Sequence, residues 1–431
     1  MTTQSLVASK LPGLRELSGA ADDYDDLLDQ IGDARVVLLG GSSHGTHEFQ
    51  RERARITQRL IDERGFTAIG LVADWPDTYR LGRYALGQTH DQSATEALDG
   101  FARFPNWLWR NADMAAFTEW LRARNDSQSS PATKATFYSL DLFNAHRSMA
   151  DVLSYLGDVD SKAATAARSR YGCCDHAGGV PEQYGKAVAF QLNVACENEI
   201  VAQLKASQNM MATAIMNDEW DSVSKHFYAE RSAQIKEQAE QYYRQIYLGG
   251  VAAWNLRDQQ MSETLTALVE FLDQRLGETK VVVWGHNSHV GDARATALGA
   301  TGQLSIGQFV RDAWPNNSVR VGFTTYEGTV TAANEWGGSM RQMSVLPGLA
   351  DGYEATFHDL PQENFIIDLR AADWLPEVAP QRGIGVVYWP ETEQQSHWFD
   401  AHLRDQFDAV IHLDTTRAVE PLDHSVTWDL D

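Results

Sequence analysis

Apolar and polar positions follow two rhythms along this chain. The first is a set of short, nearly continuous apolar runs rich in β-branched residues: VVLLG (36–40), TAIGLVA (67–73), TFYSLDLF (136–143), KVVVWG (280–285), VRVGFTTY (319–326), NFIIDL (364–369), IGVVYW (384–389) and AVIHLD (409–414). Runs apolar on both faces predict strands buried inside a parallel or mixed sheet. The second rhythm is helical. Phe49, Ile56 and Leu60 recur at helical spacing over 48–64, with Gly65 placed to close that helix. Met261, Leu265, Leu268 and Leu272 form an i, i+4, i+7, i+11 stripe over 256–276 that ends at Gly277.

Between 145 and 276 no strand pattern appears, and AERSAQIKEQAEQYYRQI (229–246) reads as a long helical segment with a polar face. The expected class is α/β: a central, mostly parallel sheet flanked by helices, with a large helical insertion. Three parts follow: 1–144 with the first strand–turn–helix, 145–276 as the insertion, and 277–431 completing the sheet. The nearest things to linkers are RNDSQSSPATK (124–134) and RSRYGCCDHAGGVPEQYG (168–185).

Composition narrows the classes. With 431 residues, 43% of them hydrophobic, the chain can bury a large core. A net charge of −23 and no Lys/Arg cluster exclude a nucleic-acid partner. Three cysteines, Cys173, Cys174 and Cys196, are too few for a disulfide framework, so reduced thiols in a cytoplasm are expected. The start, MTTQSLVASK, lacks the features of a signal peptide, and no apolar run approaches membrane-spanning length. A small-molecule substrate is the remaining partner class; the oligomeric state stays open.

In open α/β sheets, ligands bind beyond the carboxyl ends of the strands. The first run is followed by Ser42, Ser43, His44 and His47, the second by Asp74 and Trp75. The third carries Asp141, and the run at 280 is followed by His286, Asn287, Ser288 and His289. Titratable groups at four strand ends point to a site. Ser42, Asn287 and Ser288 are equally well read as helix caps; histidine is not a preferred cap, which singles out His44, His286 and His289. Gly41-x-Ser43-x-Gly45 has the register of a serine nucleophile elbow, yet only one strand precedes it, and the pattern is weak in a chain with 32 glycines. His44-x-x-His47 and His286-x-x-His289 could space zinc ligands near Glu48, but the chain has neither H-E-x-x-H nor cysteines at ligand spacing. Acid–base roles suit the histidines better, and no metal or cofactor is expected. Trp107, Trp109, Tyr242 and Tyr243 read as core or cleft-wall aromatics, and Arg257-Asp258 as a structural ion pair. Cys173 and Cys174 precede Asp175-His176, but adjacency does not make a Cys–His dyad.

The stretch GGSSHGTHEFQRERARITQRLIDERGFTAIGLVADWPDTYRLGRYALG (40–87) resembles the erythromycin esterase-like family. So do FPNWLWRN (104–111), FYSLDLF (137–143), EQYYR (240–244), WNLRDQQM (254–261) and VVVWGHNSHVGDARA (281–295). GFTTYEGTVTAA (322–333), RGIGVVYWPETEQQSHWF (382–399) and QFDAVIHLDTTRAVEPL (406–422) continue it over nearly the whole chain. The resemblance implies a helical part forming one side of a cleft. It also implies hydrolysis of a macrolactone ester by water, without a covalent serine intermediate. It places the family's general base, the histidine of a G-E-x-x-H turn, on His44, its arginine on Arg53 and its H-x-x-H pair on His286 and His289. Asp74, Ser43, His47, Trp109 and Tyr243 are the expected substrate contacts.

Two departures stand out. The glutamate of G-E-x-x-H falls on Gly41, and that of V-E-A-D-W on Val72. Gln260 stands where the family usually has histidine, and Trp389 where it has arginine. Without the two carboxylates the histidines should be less basic, and the site should be drier near Val72 and suited to an anionic or carbonyl-rich ligand. Asp74, Glu48 and Glu52 are the carboxylates positioned to substitute. Three functions follow: an enzyme repurposed in small-molecule, secondary metabolism, with His/Arg acid–base chemistry that is not standard macrolide hydrolysis; an esterase or lactonase with rewired carboxylates; or a non-catalytic ligand-binding homologue.

Overall fold

The computed structural model describes residues 11–143, 153–154, 156–157, 161–174, 194–219, 222–235 and 238–423. Its strands are β1 (Leu14–Glu16), β2 (Val36–Leu39), β3 (Ala68–Asp74), β4 (Thr136–Asp141), β5 (Val281–Trp284), β6 (Ser318–Thr324), β7 (Glu327–Ala332), β8 (Arg341–Val345), β9 (Asn364–Asp368), β10 (Ala379–Arg382), β11 (Trp398–Ala401), β12 (Ala409–Leu413) and β13 (Thr415–Thr416).

Eight of them form one sheet in the order β1-β9-β12-β6-β2-β5-β3-β4. From β12 to β4 every pairing is parallel, and β9 and β1 add an antiparallel edge. The residues of β2 and β5 are all buried, as their unbroken apolar runs require. Strand alternation then splits each run between two cores. Val36, Leu38, Val281 and Val283 join one hydrophobic cluster; Val37, Leu39, Val282 and Trp284 join the other. Helix His47–Arg64 brings Phe49, Ile56 and Leu60 to the second cluster, and Gly65, at φ 74°, closes that helix as the sequence predicts. Helices between β4 and β5 cover the opposite face, with Leu204, Tyr228, Leu265 and Leu268 in the first cluster.

After β2 the chain builds β3 and β4 on one side, returns to place β5 between β2 and β3, then sets β6 on the other flank of β2. The loops leaving β2 and β5 therefore rise side by side at the middle of the sheet.

Several expectations need correction. IGVVYW (384–389) is not a strand. It crosses the strand ends through isolated bridges, Ser43 with Ile384 and Ala333 with Val387, and its Ile384 N–H donates to Ser42 O at 2.7 Å. Burial made it apolar; its direction, which the pattern does not encode, denied it a ladder. Strands β7, β8, β10 and β11 carry no such run; β8 has a single buried residue. The stretch 229–246 is covered by two helices, Val223–Ile235 and Ala239–Leu248, with 236–237 outside the described residues. Most of 168–185 also lies outside them, including Asp175 and His176. No helix among the described residues is long and apolar enough to cross a membrane.

Candidate active site

The turn after β2 is held by its neighbours. Asn287 donates its backbone N–H to Gly41 O and accepts the Gly41 N–H on Oδ1 at 2.8 Å, while its Nδ2 donates to Phe323 O at 2.8 Å. One amide side chain thus ties the loop after β5 to β2 and β6. Gly45 is needed for close approach: a Cβ there would stand 1.9 Å from Thr331 O of β7.

Arg53, on helix His47–Arg64, reaches back under this turn. Its Nε donates to Gly40 O at 2.6 Å and its NH2 to Gly285 O at 3.0 Å. A Cβ at Gly41 would lie 2.2 Å from that NH2, so the guanidinium fills the room a side chain at 41 would need. Arg53 is 3% exposed, and burial lowers its pKa to about 9. No carboxylate bonds it among the described residues.

The histidines are held as different tautomers by their partners. His286 accepts the Ser288 N–H on Nδ1 at 3.2 Å and has the Ser288 hydroxyl at 2.8 Å, so in the neutral ring the proton sits on Nε2. That Nε2 lies by the backbone of Ser42 and Ile384 without closing a hydrogen bond. Burial first, then His289 and Arg53, push the His286 pKa down to about 3. His286 also caps the short helix Asn287–Val290, a role that residue preference disfavoured. His289 has the opposite arrangement. Its Nδ1 lies 2.9 and 3.0 Å from the oxygens of Asp258, itself fully buried, so Nδ1 donates and Nε2 keeps its lone pair. Trp254 stacks on the His289 ring at 4.5 Å and 4°. His44, half-buried, lies against His286 with ring centroids 4.7 Å apart.

A second group stands at the ends of β3 and β4, where Asp74 and Asp141 are register partners. Arg257 donates to Asp141 Oδ2 at 3.2 Å. Arg257 and Asp258 are therefore not a pair with each other. They are successive residues of helix Gly250–Leu276, one fixed on a strand-end carboxylate and the other on His289. Asp74 and Trp109 line a cavity of about 40 Å³ with Asp77, Arg103 and Asn106, room for a few waters. Val72, 5% exposed, crowds Gly285 with Val290 and the Cβ of His289, so a side chain at position 72 faces the His289 side.

The structure brings His44, Arg53, His286 and His289 together. It directs other expected residues elsewhere. Ser43 spends its hydroxyl on Thr46, which leaves no nucleophile arrangement. His47 bonds Asp113 at 2.8 Å. Tyr243 is a core residue whose hydroxyl donates to Phe143 O at 3.4 Å. Glu48 is taken by Arg417, and Glu52 by Tyr24, Arg51 and Arg55. Both carboxylates are therefore committed to partners other than the site histidines. Asp258, missed from sequence, is the carboxylate that orients His289; its signal was position, beside Arg257 on the buried helix stripe. Among the described residues no group of three or more His, Cys, Asp or Glu could hold a metal ion.

Comparison with known proteins agrees with this fold. The family model described as erythromycin esterase matches residues 61–416. The type II erythromycin esterase of Escherichia coli is 23% identical over 333 residues, covering 74% of this chain and 76% of that protein. The crystal structure of a succinoglycan biosynthesis protein superposes with a TM-score of 0.65 at 21% identity, covering 97% of this chain and 98% of the other. A Bacillus cereus protein gives 0.65 at 20%, covering 95% and 97%. A mutant of erythromycin esterase EreC in its open conformation gives 0.58 at 14%, covering 94% and 96%. Matched over most of its length, the chain belongs to the erythromycin esterase family.

Proposed function

We propose that this chain is a cytoplasmic enzyme of small-molecule, secondary metabolism that applies histidine–arginine acid–base chemistry to a carbonyl- or ester-containing substrate, rather than standard macrolide hydrolysis. Arg53 carries the reading: a buried guanidinium bonded, among the described residues, only to carbonyl oxygens, in the space where the family pattern has a glutamate. A buried cation without an anion is costly unless a ligand brings the charge. A carbonyl oxygen that becomes an oxyanion or enolate does so during the reaction, and donors preset for it are worth several kcal/mol. His289, with Nδ1 on Asp258, offers Nε2 as the base that takes a proton from the substrate. His286, neutral with its proton on Nε2, acts as a donor rather than a cation. Arg53 then meets the negative charge on the substrate oxygen.

A second reading has one observation in its favour. The His289–Asp258 pair is the kind of carboxylate–imidazole contact that prepares a histidine to activate water, so hydrolysis with a relocated carboxylate remains the alternative.

Mass spectrometry of erythromycin and simple aryl esters separates the two. The proposal expects no gain of one water on erythromycin. Such a gain, lost in His44→Ala, would overturn it in favour of the esterase. Gly41→Glu combined with Val72→Glu sharpens the test, because Arg53 would have to vacate its position and pair with the new carboxylate. Hydrolysis appearing only in that double variant identifies a dormant esterase.

A further inference from the structure

The two ring nitrogens of His286 meet different surroundings. Nε2 lies by the backbone of Ser42 and Ile384. Nδ1 accepts the Ser288 N–H at 3.2 Å and has the Ser288 hydroxyl at 2.8 Å. Ser288 also lines a cavity of about 10 Å³, close to the room one water needs, with Gly291, Thr296, Gln303, Phe399 and Gln406. Gln406 is 1% exposed, and its Oε1 has no hydrogen-bond partner among the described residues. Its stem is held in place. A Cβ at Gly291 would lie 2.8 Å from the Gln406 Cγ, and the Gln406 backbone oxygen accepts the Asp292 N–H at 3.1 Å. A buried amide oxygen left unpaired is costly, and a water in this cavity would supply its donor.

The proposed function uses neutral His286 as a donor. A neutral imidazole that gives up its only ring proton becomes an anion, which burial disfavours. A proton delivered to Nδ1 in the same step avoids that anion. We propose that Ser288 is a positioning residue that acts through His286, relaying a proton from a water in this cavity to Nδ1 while Nε2 gives its proton to the substrate oxygen. The Nε2–H bond breaks as the substrate O–H bond forms, and the Ser288 O–H bond breaks as Nδ1–H forms. The water gives a proton to Ser288 Oγ and is left as hydroxide. The proton that His289 took from the substrate neutralises that hydroxide through solvent, so no net charge remains. Between turnovers, solvent reprotonates Nε2, and Nδ1 returns its proton to solvent through Ser288. The inference rests on the proposed function for the direction of the proton; the relay itself can be read without it.

The test uses the free, full-length protein with isotope-labelled histidine, and reads by NMR the exchange of the His286 Nε2 proton with solvent. Ser288→Thr keeps the hydroxyl, and Ser288→Val has the shape of that threonine without it. Exchange in Ser288→Thr should stay within about twofold of wild type, and in Ser288→Val it should be about tenfold slower. Gln406→Leu removes the amide oxygen from the cavity and leaves the Ser288–His286 contact in place; it should slow exchange by about the same tenfold. A hydroxyl that only holds the ring predicts the reverse for Ser288→Val, a looser ring that exchanges faster. Unchanged or faster exchange in Ser288→Val, or Ser288→Thr as slow as Ser288→Val, overturns the relay. If neither variant at position 288 folds, Gln406→Leu decides, and unchanged exchange there overturns the relay. A gain of one water on erythromycin overturns the proposed function alone, and the exchange rates still decide the relay.

Discussion

Arg53 and Arg382 are both buried guanidiniums, and they are held in opposite ways. Arg382 is fully buried; its Nε donates to Glu393 at 2.7 Å, and its NH1 to Thr325 O and Tyr326 O at 2.9 and 2.8 Å. Glu393 is itself satisfied by Tyr388 and Trp398. Of the four buried arginines among the described residues, Arg257, Arg320 and Arg382 bond a carboxylate, and Arg53 does not. Arg382 is a closed circuit that fastens strand ends together. Arg53 is an open one, in the room beside Gly41. The lesson is that charge left uncompensated in a well-packed fold marks a place where a ligand is expected.

The contrast can be broken at its structural end first. Arg382→Met should lower the unfolding free energy by about 3–5 kcal/mol in urea titration, because it leaves Glu393 buried without its cation. A loss below about 1 kcal/mol would mean that the ion pair is not what fastens this region. Arg53→Met is expected to do the reverse. Turnover should fall about 10²–10³-fold, while stability drops by only about 1–3 kcal/mol from two carbonyl bonds. If activity survives, the uncompensated charge is not used.

Gly41→Ala is the next smaller effect. The added methyl must displace the Arg53 guanidinium, at a cost of about 1–3 kcal/mol. Made on top of Arg53→Met, it should cost almost nothing, and a double-mutant cycle in denaturant reads that coupling. Persistence of the full penalty would place the clash elsewhere. The remaining effect is in pH, small at any one pH step and accumulating as pH falls. The His286 pKa is depressed to about 3, so below about 6.5 the unfolded chain takes up a proton that the folded one refuses. Relative to His286→Asn, the wild type should therefore lose stability as pH falls from about 6.5 to about 3, by at most about 1.4 kcal/mol per pH unit. No such difference, or a histidine NMR titration placing His286 near 6.5, would restore it as an ordinary base.

Legibility differed between fold and site. Seven of the eight apolar runs are strands of the main sheet, because continuous burial on both faces leaves a mark that the sequence cannot hide. The eighth, at 384–389, carries the same mark for a different reason, being buried across the strand ends. His44, His286 and His289 were legible because they follow strand ends, whereas Arg53, inside helix His47–Arg64, was indicated only by the family resemblance. Asp258 was not, since a buried acid on a helix stripe looks the same whether it meets Arg257 or a histidine from a distant strand.

The sequence by itself determined the sheet, the helices that cover it, and the absence of a carboxylate at positions 41 and 72. Those depend on local periodicity and on residue identity. Only the tertiary structure decided what that absence means. It put the Arg53 guanidinium into the room left by Gly41, paired Asp258 with His289 across 31 residues of chain, and turned the His47 and Tyr243 side chains toward other partners. Partners of that kind are set by which strand ends the sheet order brings together, and no spacing along the chain records it.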